Sequence, residues 1–308
     1  MLVGAMKIVS IGEILWDVFP EAEHLGGAAF NFAAHARRLG HEVQFVSGVG
    51  DDERGRRALA RAEELGMSTR FIRVIPGAST GVVSVEVDPD GQPAFTIHRP
   101  AAYDFADFDR EDLNQLLFPR AGWIAYGTLY QMSEQGHSLT HRILRTAFGS
   151  SFFYDVNLRP ASYTPAIVRQ SIEAADMVKL NDAEVTAVEA MIDRRHNSIE
   201  DFARDLAGQY GLDGVAVTMG ARGCALLLHG EYVEAPGCPV KVADTVGAGD
   251  AFSAALLHGV DAGWPPAEIA GFANRVGALI ASRPGAIPDW TVAEALALTR
   301  PEGRATSR

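Results

Sequence analysis

The chain has 308 residues and a formal net charge of −12, from 27 Lys and Arg against 39 Asp and Glu. This charge argues against a surface that binds nucleic acid or an anionic membrane. No apolar run reaches the roughly 18 residues that a membrane span needs, and 2 cysteines are too few by themselves for a disulfide framework or a zinc site. We therefore expect a cytoplasmic enzyme with an extensive core.

The elements predicted along the chain alternate between strand and helix. Two of the helices end at glycines, Gly40 and Gly66, which is typical of helix C-termini. This alternation favours an α/β fold with a mostly parallel sheet covered by helices on both faces. The predicted strands are residues 7–12, 41–47, 123–126, 151–155, 177–180, 214–218 and 224–228, and the predicted helices include residues 30–39, 54–65 and 251–260.

A second, smaller β-structure is predicted in the first third of the chain. Residues 80–87 and 93–99 alternate between apolar and polar side chains around the turn sequence DPDG at residues 88–91, which is the pattern of a β-hairpin. Together with residues 14–24, this hairpin is expected to form a lid over the sheet edge. We predict a single domain over residues 1–308, with the lid at about 14–24 and 80–99 and a disordered tail at 301–308.

A run of small residues precedes the predicted helix at residues 251–260. The backbone amides of Gly247, Ala248 and Gly249, which we call the anion turn, can point at one spot and bind an anion there with help from the helix dipole. Asp250 follows the anion turn and could accept a proton from an attacking hydroxyl. From spacing alone, an ordinary glycine-rich connector capped by Asp250 is an equal alternative.

Polar residues near the ends of other predicted elements are further candidates, because ligands of open α/β sheets bind beyond the carboxyl ends of the strands. Asp17 can accept hydrogen bonds from two hydroxyls, and Asn31 can both donate and accept. Arg99, at the end of the hairpin, could swing over such a pocket. The alternatives are a solvated turn aspartate, a helix cap and an ordinary surface arginine, respectively.

Two sequence runs resemble the signatures of the ribokinase-like (PfkB) sugar kinases, most closely those of the fructokinase branch. DTVGAGDAF at residues 244–252 resembles the C-terminal signature, and GGAAFNFA at residues 26–33 resembles the N-terminal glycine-pair motif. Ala29 stands where many relatives carry proline, which bears on loop rigidity. The resemblance implies a three-layer α/β/α fold with a β lid, with Asp250 as the catalytic base and the anion turn as the anion hole.

Three shorter motifs agree with this resemblance. DVNLR at residues 155–159 is similar to the D-x-N-x-R run of fructokinases and ketodeoxygluconate kinases, although a salt bridge between Asp155 and Arg159 is an alternative. Glu184 matches an N-x-x-E motif that organises Mg²⁺ and its water, but could be a first-turn glutamate that stabilises its helix. The T-x-G-x-x-G turn at residues 218–223 is weak alone. Asn274, implied to lie near adenine, could equally serve helix packing.

The resemblance implies ATP and Mg²⁺ as cofactors, K⁺ as a further candidate, and a sugar as the acceptor. The implied catalytic residues are Asp250, Gly247, Ala248, Gly249 and Arg159. The implied sugar contacts are Asp17, Gly26, Gly27, Asn31, Arg99 and Asn157. The implied nucleotide contacts are Asn181, Glu184, Thr218, Gly220, Gly223 and Asn274. The implied positions of a monovalent cation are Asp244, Val246, Ile280, Gly285 and Asp289.

Other chemistries fit the sequence less well. The run GASTG at residues 77–81 matches the G-x-S-x-G elbow of serine hydrolases, but that elbow needs a following helix and residues 82–87 alternate like a strand. No P-loop or G-x-G-x-x-G motif occurs. A non-catalytic nucleotide or sugar sensor would have no need of Asp250. We expect an ATP-dependent kinase that phosphorylates a primary hydroxyl of fructose, then 2-keto-3-deoxygluconate, then ribose or a nucleoside, and that forms a homodimer through the lid.

Overall fold

The computed structural model describes residues 5–87 and 93–298, so the turn predicted at residues 88–91 and the tail predicted at residues 301–308 lie outside the described residues. The strands are β1 (Lys7–Ile11), β2 (Leu15–Val18), β3 (Glu23–Gly26), β4 (Glu42–Gly50), β5 (Ile72–Ile75), β6 (Gly81–Val87), β7 (Pro93–His98), β8 (Trp123–Gly127), β9 (Ser151–Asp155), β10 (Met177–Asn181), β11 (Gly214–Thr218), β12 (Cys224–Leu228) and β13 (Glu231–Ala235).

The α-helices connect these strands and pack on the sheet. They are α1 (Ala28–Arg38), α2 (Glu53–Glu64), α3 (Arg110–Leu117), α4 (Glu134–Thr146), α5 (Pro165–Glu173), α6 (Asp182–Met191), α7 (Ile199–Tyr210), α8 (Ala248–Asp261), α9 (Pro266–Ala281) and α10 (Val292–Ala297). Among residues 5–87 and 93–298, no helix combines the length and the apolar character that crossing a membrane would require.

Within the described residues, nine strands form the main sheet in the order β13-β12-β11-β10-β9-β8-β1-β4-β5. The pairs from β5 through β4, β1, β8, β9 and β10 to β11 are all parallel, whereas β12 pairs antiparallel with both β11 and β13 at one edge. Successive side chains of a strand point to opposite faces, and in β1 Ile8 belongs to one apolar cluster and Val9 to the other. The sheet is therefore buried on both sides, and the predicted layering is confirmed.

The two faces of the sheet are covered by different helices. Residues of α1, α2, α8 and α9 form one core cluster with the strands, and residues of α3 to α7 form the other. Helix α1 and helix α8 also contact each other directly. This packing brings the start of α8, which follows the anion turn, next to the start of α1, which follows the glycine pair.

The smaller sheet has the strand order β3-β2-β6-β7. Strands β2 and β6 pair in parallel, and the other pairs are antiparallel. Strand β3 ends at Gly26, two residues beyond the lid segment predicted at residues 14–24. Val83 and Val85 are buried within the chain, so the apolar face of β6 packs against the protein's own body. We call this four-stranded sheet the lid.

One helix boundary differs from the prediction in a way that matters for the site. Helix α8 begins at Ala248, three residues before the predicted start at residue 251, because Gly247 adopts a left-handed conformation (φ 78°) and serves as the N-cap. Gly249 and Asp250 therefore lie inside the first helical turn. The hydrolase alternative is wrong, since Gly81 begins strand β6 and no helix follows the GASTG run.

Candidate active site

The anion turn lies where the backbone of Gly247 reverses direction before α8. A Cβ built on Gly247 would lie 2.3 Å from the carbonyl oxygen of Ala286, so only glycine fits this left-handed turn. The amide of Ala248 donates to the carbonyl oxygen of Thr245 at 3.3 Å. Because amides of the first helical turn have no partner within the helix, Gly249 and Asp250 supply the amides that point out of the helix end. Of the predicted set, Ala248 thus uses its amide within the chain, and anion binding by Gly247, Ala248 and Gly249 stays a prediction.

Asp250 is buried and is linked to helix α1. Its Oδ2 accepts a hydrogen bond from Nδ2 of Asn31 at 2.8 Å. Burial raises the pKa of Asp250 to about 7, the nearby carboxylate of Asp155 adds to this rise, and Lys179 opposes it. A carboxylate with a pKa near neutrality can accept a proton and later release it, which is what a general base requires. Asp250 and Asn31 were both predicted as site residues, and the fold brings them into direct contact although they are 219 positions apart in the sequence.

The predicted sugar contacts Asp17, Gly26 and Asn31 converge beside Asp250. A Cβ built on Gly26 would lie 3.2 Å from Oδ2 of Asp17 and 3.8 Å from Oδ1 of Asn31, so the glycine leaves space between the two polar groups. Oδ1 of Asn31 is buried and has no hydrogen-bond partner among the described residues. Since a buried acceptor is costly to leave unsatisfied, this oxygen marks a place for a ligand's hydroxyl. Burial also raises the pKa of Asp17.

Glu13 is a residue of this region that the sequence analysis did not single out. It is buried and lines the same cleft, and its Oε1 accepts a hydrogen bond from the amide of Ala28 at 2.8 Å. A Cβ on Gly27 would lie 2.4 Å from the carbonyl oxygen of Glu13, which explains the second glycine of the pair. Burial raises the pKa of the Glu13 carboxyl. Its position directly before the lid strand that carries Asp17 was the signal available in the sequence.

Arg159 and Asn157 line the cleft together with Glu13 and Asp155. Although burial raises the pKa values of Glu13, Asp17 and Asp250, the charge of Arg159 opposes the rise at all three. Within residues 5–87 and 93–298, the guanidinium of Arg159 has no ion pair within 4.0 Å. The alternative of a salt bridge from Asp155 to Arg159 is wrong, because Asp155 pairs with a different cation.

That cation is Lys179 on β10, which the sequence analysis missed. Its Nζ lies 3.1 Å from both carboxylate oxygens of Asp155 and 3.3 Å from the place a Cβ on Gly249 would occupy. Asp155 also accepts a hydrogen bond from Oγ of Ser253 in α8 at 2.9 Å. Burial lowers the pKa of Lys179, but the carboxylates around it outweigh burial and raise it. Lys179 is therefore a fixed positive charge directly beneath the anion turn.

Glu184 and Asn181 form a reciprocal cap at the start of α6. Oε2 of Glu184 accepts from the amide of Asn181 at 2.9 Å, and Oδ1 of Asn181 accepts from the amide of Glu184 at 2.9 Å. The other oxygen, Oε1, accepts from the amide of Leu158 at 2.7 Å. Glu184 thus connects the start of α6 to the loop that carries Arg159. These contacts agree with the alternative that Glu184 is a first-turn glutamate that stabilises its helix. A role of Glu184 toward Mg²⁺ stays a prediction.

Some of the predicted nucleotide residues lie beside open space, and others are packed against the chain. Thr218 ends β11, and the space beside Gly220 is open, whereas a Cβ on Gly223 would lie 2.0 Å from the carbonyl oxygen of Ala235. Asn274 is buried in α9, where its Nδ2 donates to the carbonyl oxygens of Ala235 at 3.0 Å and Pro236 at 3.2 Å. These two hydrogen bonds fasten α9 to the end of β13, as the helix-packing alternative describes, and a position of Asn274 near adenine stays a prediction.

Two further predicted residues form ion pairs in the structure, and their roles toward ligands stay predictions. Arg99 does not extend over the cleft, because its guanidinium pairs with buried Asp104 and donates to the carbonyl oxygen of Leu129 at 2.8 Å. The side chain of Asp289 is 96% exposed and pairs with Arg38 at 2.7 Å. The side chain of Asp289 therefore serves a surface ion pair, and a contact between this position and a monovalent cation stays a prediction.

The remaining positions predicted for a monovalent cation lie close together. Oδ1 of Asp244 accepts from the amide of Val246 at 3.0 Å, and Oδ2 accepts from the amide of Gly285 at 3.0 Å. The carbonyl oxygen of Ile280 accepts from the amide of Arg283 at 2.9 Å. Asp244 therefore connects the segment before the anion turn to the loop after α9, and cation binding there stays a prediction.

Comparisons with known proteins agree with this geometry. The profile described as pfkB family carbohydrate kinase matches residues 8–293. Fructokinase-1 of Zea mays is 30% identical over 327 residues, covering 97% of this chain and 99% of the maize protein. A sugar kinase of Pyrococcus horikoshii, solved in complex with ATP, has a TM-score of 0.78 at 28% identity and covers 91% of this chain and 94% of its own.

The fold itself is matched by a fructokinase from Xylella fastidiosa solved with bound ATP. That structure has a TM-score of 0.83 at 24% sequence identity, and the match covers 95% of this chain and 97% of the other. The expected ribokinase-like class, a large mostly parallel sheet with a small separate sheet, is thereby confirmed. With a family profile that spans nearly the whole chain, the protein belongs to the pfkB family of carbohydrate kinases and is a sugar kinase.

Proposed function

We propose that this sugar kinase transfers the γ-phosphoryl group of ATP to a primary hydroxyl of fructose. The observation that carries the proposal is the contact between Asn31 and Asp250, because it sets a base with a raised pKa beside a buried amide oxygen that lacks a partner. Asp17 adds a second acceptor on the other side of Gly26. This spacing suits adjacent hydroxyls of one sugar, with the reacting hydroxyl next to Asp250.

The chemical step uses charges that the fold has already arranged. Asp250 takes the proton of the primary hydroxyl while the hydroxyl oxygen forms a bond to the γ-phosphorus. The bond from that phosphorus to the β-γ bridging oxygen breaks, and ADP leaves. The amides at the start of α8 and the helix dipole stabilise the negative charge of the transferred group. Lys179, beneath the anion turn, and Arg159, across the cleft, are the nearby cations.

Mg²⁺ supplies charge neutralisation on the phosphates when it is bound. Among the described residues, no group of three or more His, Cys, Asp or Glu side chains is arranged to hold a metal ion. Mg²⁺ is commonly held by substrate phosphates and water with only one or two carboxylates, so this arrangement fits an ion that arrives with the nucleotide. Glu184, which accepts from the amide of Leu158, and Asp155, which pairs with Lys179, are carboxylates that would hold such an ion.

The charge of the cleft favours a neutral sugar. The buried side chains of Glu13 and Asp250 and the half-buried side chain of Asp17 face the region that also contains Arg159. Burial already raises the pKa values of these three carboxyl groups, so the charge of a sugar acid would be disfavoured in the same poorly solvated site. A second candidate substrate is 2-keto-3-deoxygluconate. It is favoured by the unpaired guanidinium of Arg159, which could bind a carboxylate in a two-pronged manner.

The test measures ADP release with fructose, glucose, ribose and 2-keto-3-deoxygluconate, each with and without K⁺. We expect the highest kcat/KM with fructose, and Asp250→Asn is the control for ATP hydrolysis that does not depend on this site. A kcat/KM tenfold higher with 2-keto-3-deoxygluconate would make the second candidate correct. Failure to phosphorylate any sugar, with nucleotide binding intact, would favour a sensor over an enzyme.

We also propose that the lid mediates a homodimer. Strands β3 and β7 are the edges of the small sheet, and exposed edges tend to pair with another chain. Phe95 on β7 is 56% exposed, and a second copy of the chain would cover it. Light scattering at micromolar concentration, with sugar and ATP present, should give twice the chain mass of 33.0 kDa. A mass of one chain under all these conditions would contradict the dimer.

A further inference from the structure

His35 lies on α1 one helical turn after Asn31, so the two side chains share a face of the helix. His35 is fully buried and contacts Trp290, whose indole Nε1 donates a hydrogen bond to Nδ1 of His35 at 3.1 Å. An indole nitrogen can only donate, so Nδ1 of His35 carries no proton. The ring proton is therefore on Nε2, which donates to the carbonyl oxygen of Ala286 at 3.0 Å.

The protonation state of His35 is fixed as well as its tautomer. Burial lowers the pKa of His35 to about 4, with the hydrogen bond to Ala286 acting in the opposite direction. At neutral pH the ring is thus a neutral imidazole with one donor and one acceptor, and both are used. His35 therefore acts as a rigid connection between Trp290 and the backbone of Ala286.

Ala286 forms the wall behind the anion turn. A Cβ on Gly247 would lie 2.3 Å from the carbonyl oxygen and 2.7 Å from the Cα of Ala286, so the two backbones are in contact. The oxygen that receives the hydrogen bond from His35 is the same oxygen that limits Gly247. Any displacement of Ala286 changes the space available to the left-handed residue that begins the anion turn.

The loop that contains Ala286 connects α9 to α10 and has little support on its outer side. Residues 284–287 border an open surface groove that is also lined by Trp16 and Arg57. On the inner side, Asp244 accepts the hydrogen bond from the amide of Gly285, and His35 donates to Ala286. Two adjacent residues of the loop are therefore held by two different polar side chains, one of which belongs to the helix that carries Asn31.

We propose that His35 is a positioning residue, which, through Trp290 and Ala286, holds the anion turn in register with the sugar-binding end of α1. Asn31 contacts the base Asp250, and His35, four residues later, supports the backbone behind Gly247. One helix face thus sets the distance between the proton acceptor and the phosphate-binding amides. This role rests on the kinase chemistry given under Proposed function and does not depend on which sugar is the acceptor.

The test removes the two hydrogen bonds of His35 and then restores their donor and acceptor. His35→Leu keeps an apolar side chain of similar bulk, and we expect kcat to fall about tenfold and ADP binding to weaken, while the sugar KM changes less than twofold. His35→Gln offers one donor and one acceptor and should recover most of the loss. ADP affinity is measured by calorimetry without sugar, so the result does not require that the acceptor be identified.

The matched control is His41→Leu, which removes a second buried histidine far from the anion turn, where it contacts His258. Both leucine variants should lose thermal stability, but only His35→Leu should lose turnover and nucleotide affinity. Equal losses of stability with unchanged kcat and ADP affinity in His35→Leu would overturn the proposal.

Trp290→Phe gives a second, milder measurement if His35→Leu does not fold. It removes the donor that fixes the tautomer of His35 and keeps an aromatic ring, and we expect kcat to fall about threefold. An unchanged kcat in Trp290→Phe would contradict the proposal.

Discussion

The phosphate side and the sugar side of the cleft differ in how their polar groups are satisfied. On the phosphate side, Asp155 binds Lys179 and Ser253, and both oxygens of Glu184 accept backbone hydrogens. On the sugar side, Oδ1 of Asn31 is buried without a hydrogen-bond partner among the described residues, and Arg159 is exposed without an ion pair among them. Buried polar groups are usually hydrogen-bonded in folded proteins. In this cleft the paired groups therefore preserve shape, and the unpaired oxygen of Asn31 marks a place for a ligand's hydroxyl.

Asp250 belongs to both sides, and its removal should have the largest effect. Asp250→Asn preserves the shape of the side chain and can still accept the hydrogen bond from Asn31, but it cannot take a proton from the acceptor hydroxyl. We expect kcat to fall by about 10²- to 10⁴-fold with little change in ATP affinity. Steady-state kinetics and calorimetry check this, and near-native turnover would remove Asp250 from the mechanism.

The pH dependence of the wild-type enzyme tests the same residue. Because Asp250 must be ionised to act as a base and its pKa is about 7, kcat/KM should fall about tenfold per pH unit below that value. The raised pKa also means that stability from neutral Asp250 is present at low pH and is lost as pH rises through about 7. Asp250→Asn should therefore be more stabilised relative to wild type at pH 8 than at pH 5. A flat rate profile would contradict this assignment.

Lys179 tests the paired side through stability as well as activity. Lys179→Met leaves the carboxylate of Asp155, which is 15% exposed, without its cation. Breaking a buried ion pair in this way typically costs about 3–5 kcal/mol in the free energy of unfolding. Denaturant titration measures the loss, and Lys241→Met at an exposed lysine is the control. Lys179→Arg, which keeps the charge, should recover part of the stability. An unfolding free energy within 1 kcal/mol of wild type would show that the pair contributes no more than a surface salt bridge.

Asp17 tests the unpaired side with a smaller expected effect. Asp17→Ala removes a hydrogen-bond acceptor for the sugar and leaves the anion turn intact. Loss of such a contact costs about 1–3 kcal/mol, so the sugar KM should rise by roughly 10- to 100-fold while the ATP KM changes little. Glu21→Ala, at an exposed position of the same sheet's turn, is the control. If the ATP KM rose instead, the sugar would have to bind elsewhere.

The difference between the phosphate side and the sugar side of the cleft could be predicted from the sequence only in part. Glycines, a helix start and polar residues after strands have local patterns, so Asp250, Asn31, Asp17 and Gly26 could be found before the fold was known. Lys179 lies inside a strand that resembles any other buried strand, and its partner Asp155 is 24 positions earlier. Its importance arises from sheet pairing between β9 and β10, which places both side chains beneath α8.

Two other predicted site residues have contacts that the sequence did not indicate. Motif position predicts Arg99 over the cleft and Asn274 near adenine, and both roles stay predictions. The structure gives each a short-range partner that the sequence does not mark: Asp104 for Arg99, and two backbone carbonyls at the end of β13 for Asn274. A polar side chain with a nearby buried partner is held there, because leaving that partner unsatisfied costs more than the extra contact with a ligand returns.

The smallest expected effect concerns a pair of histidines that lies outside the cleft. Nδ1 of His258 lies 2.9 Å from Nε2 of His41, and burial lowers the pKa of His41 to about 4, with the charge of His258 adding to this. A folded-state pKa below the unfolded value gives stability that is present above about pH 6.5 and is lost as pH falls toward 4. Between pH 7 and pH 5.5, His41 should cost the protein about 1 kcal/mol of stability.

Asp250, whose pKa is raised, acts in the opposite direction over the same range, so the wild-type curve alone does not isolate His41. The measurement is therefore the difference between wild type and His41→Gln in unfolding free energy at several pH values. We expect this difference to shrink by about 1 kcal/mol from pH 7 to pH 5.5, because glutamine does not titrate. Parallel curves for wild type and His41→Gln would mean that the pair accepts a proton without loss of packing, and that acid sensitivity arises within the cleft instead.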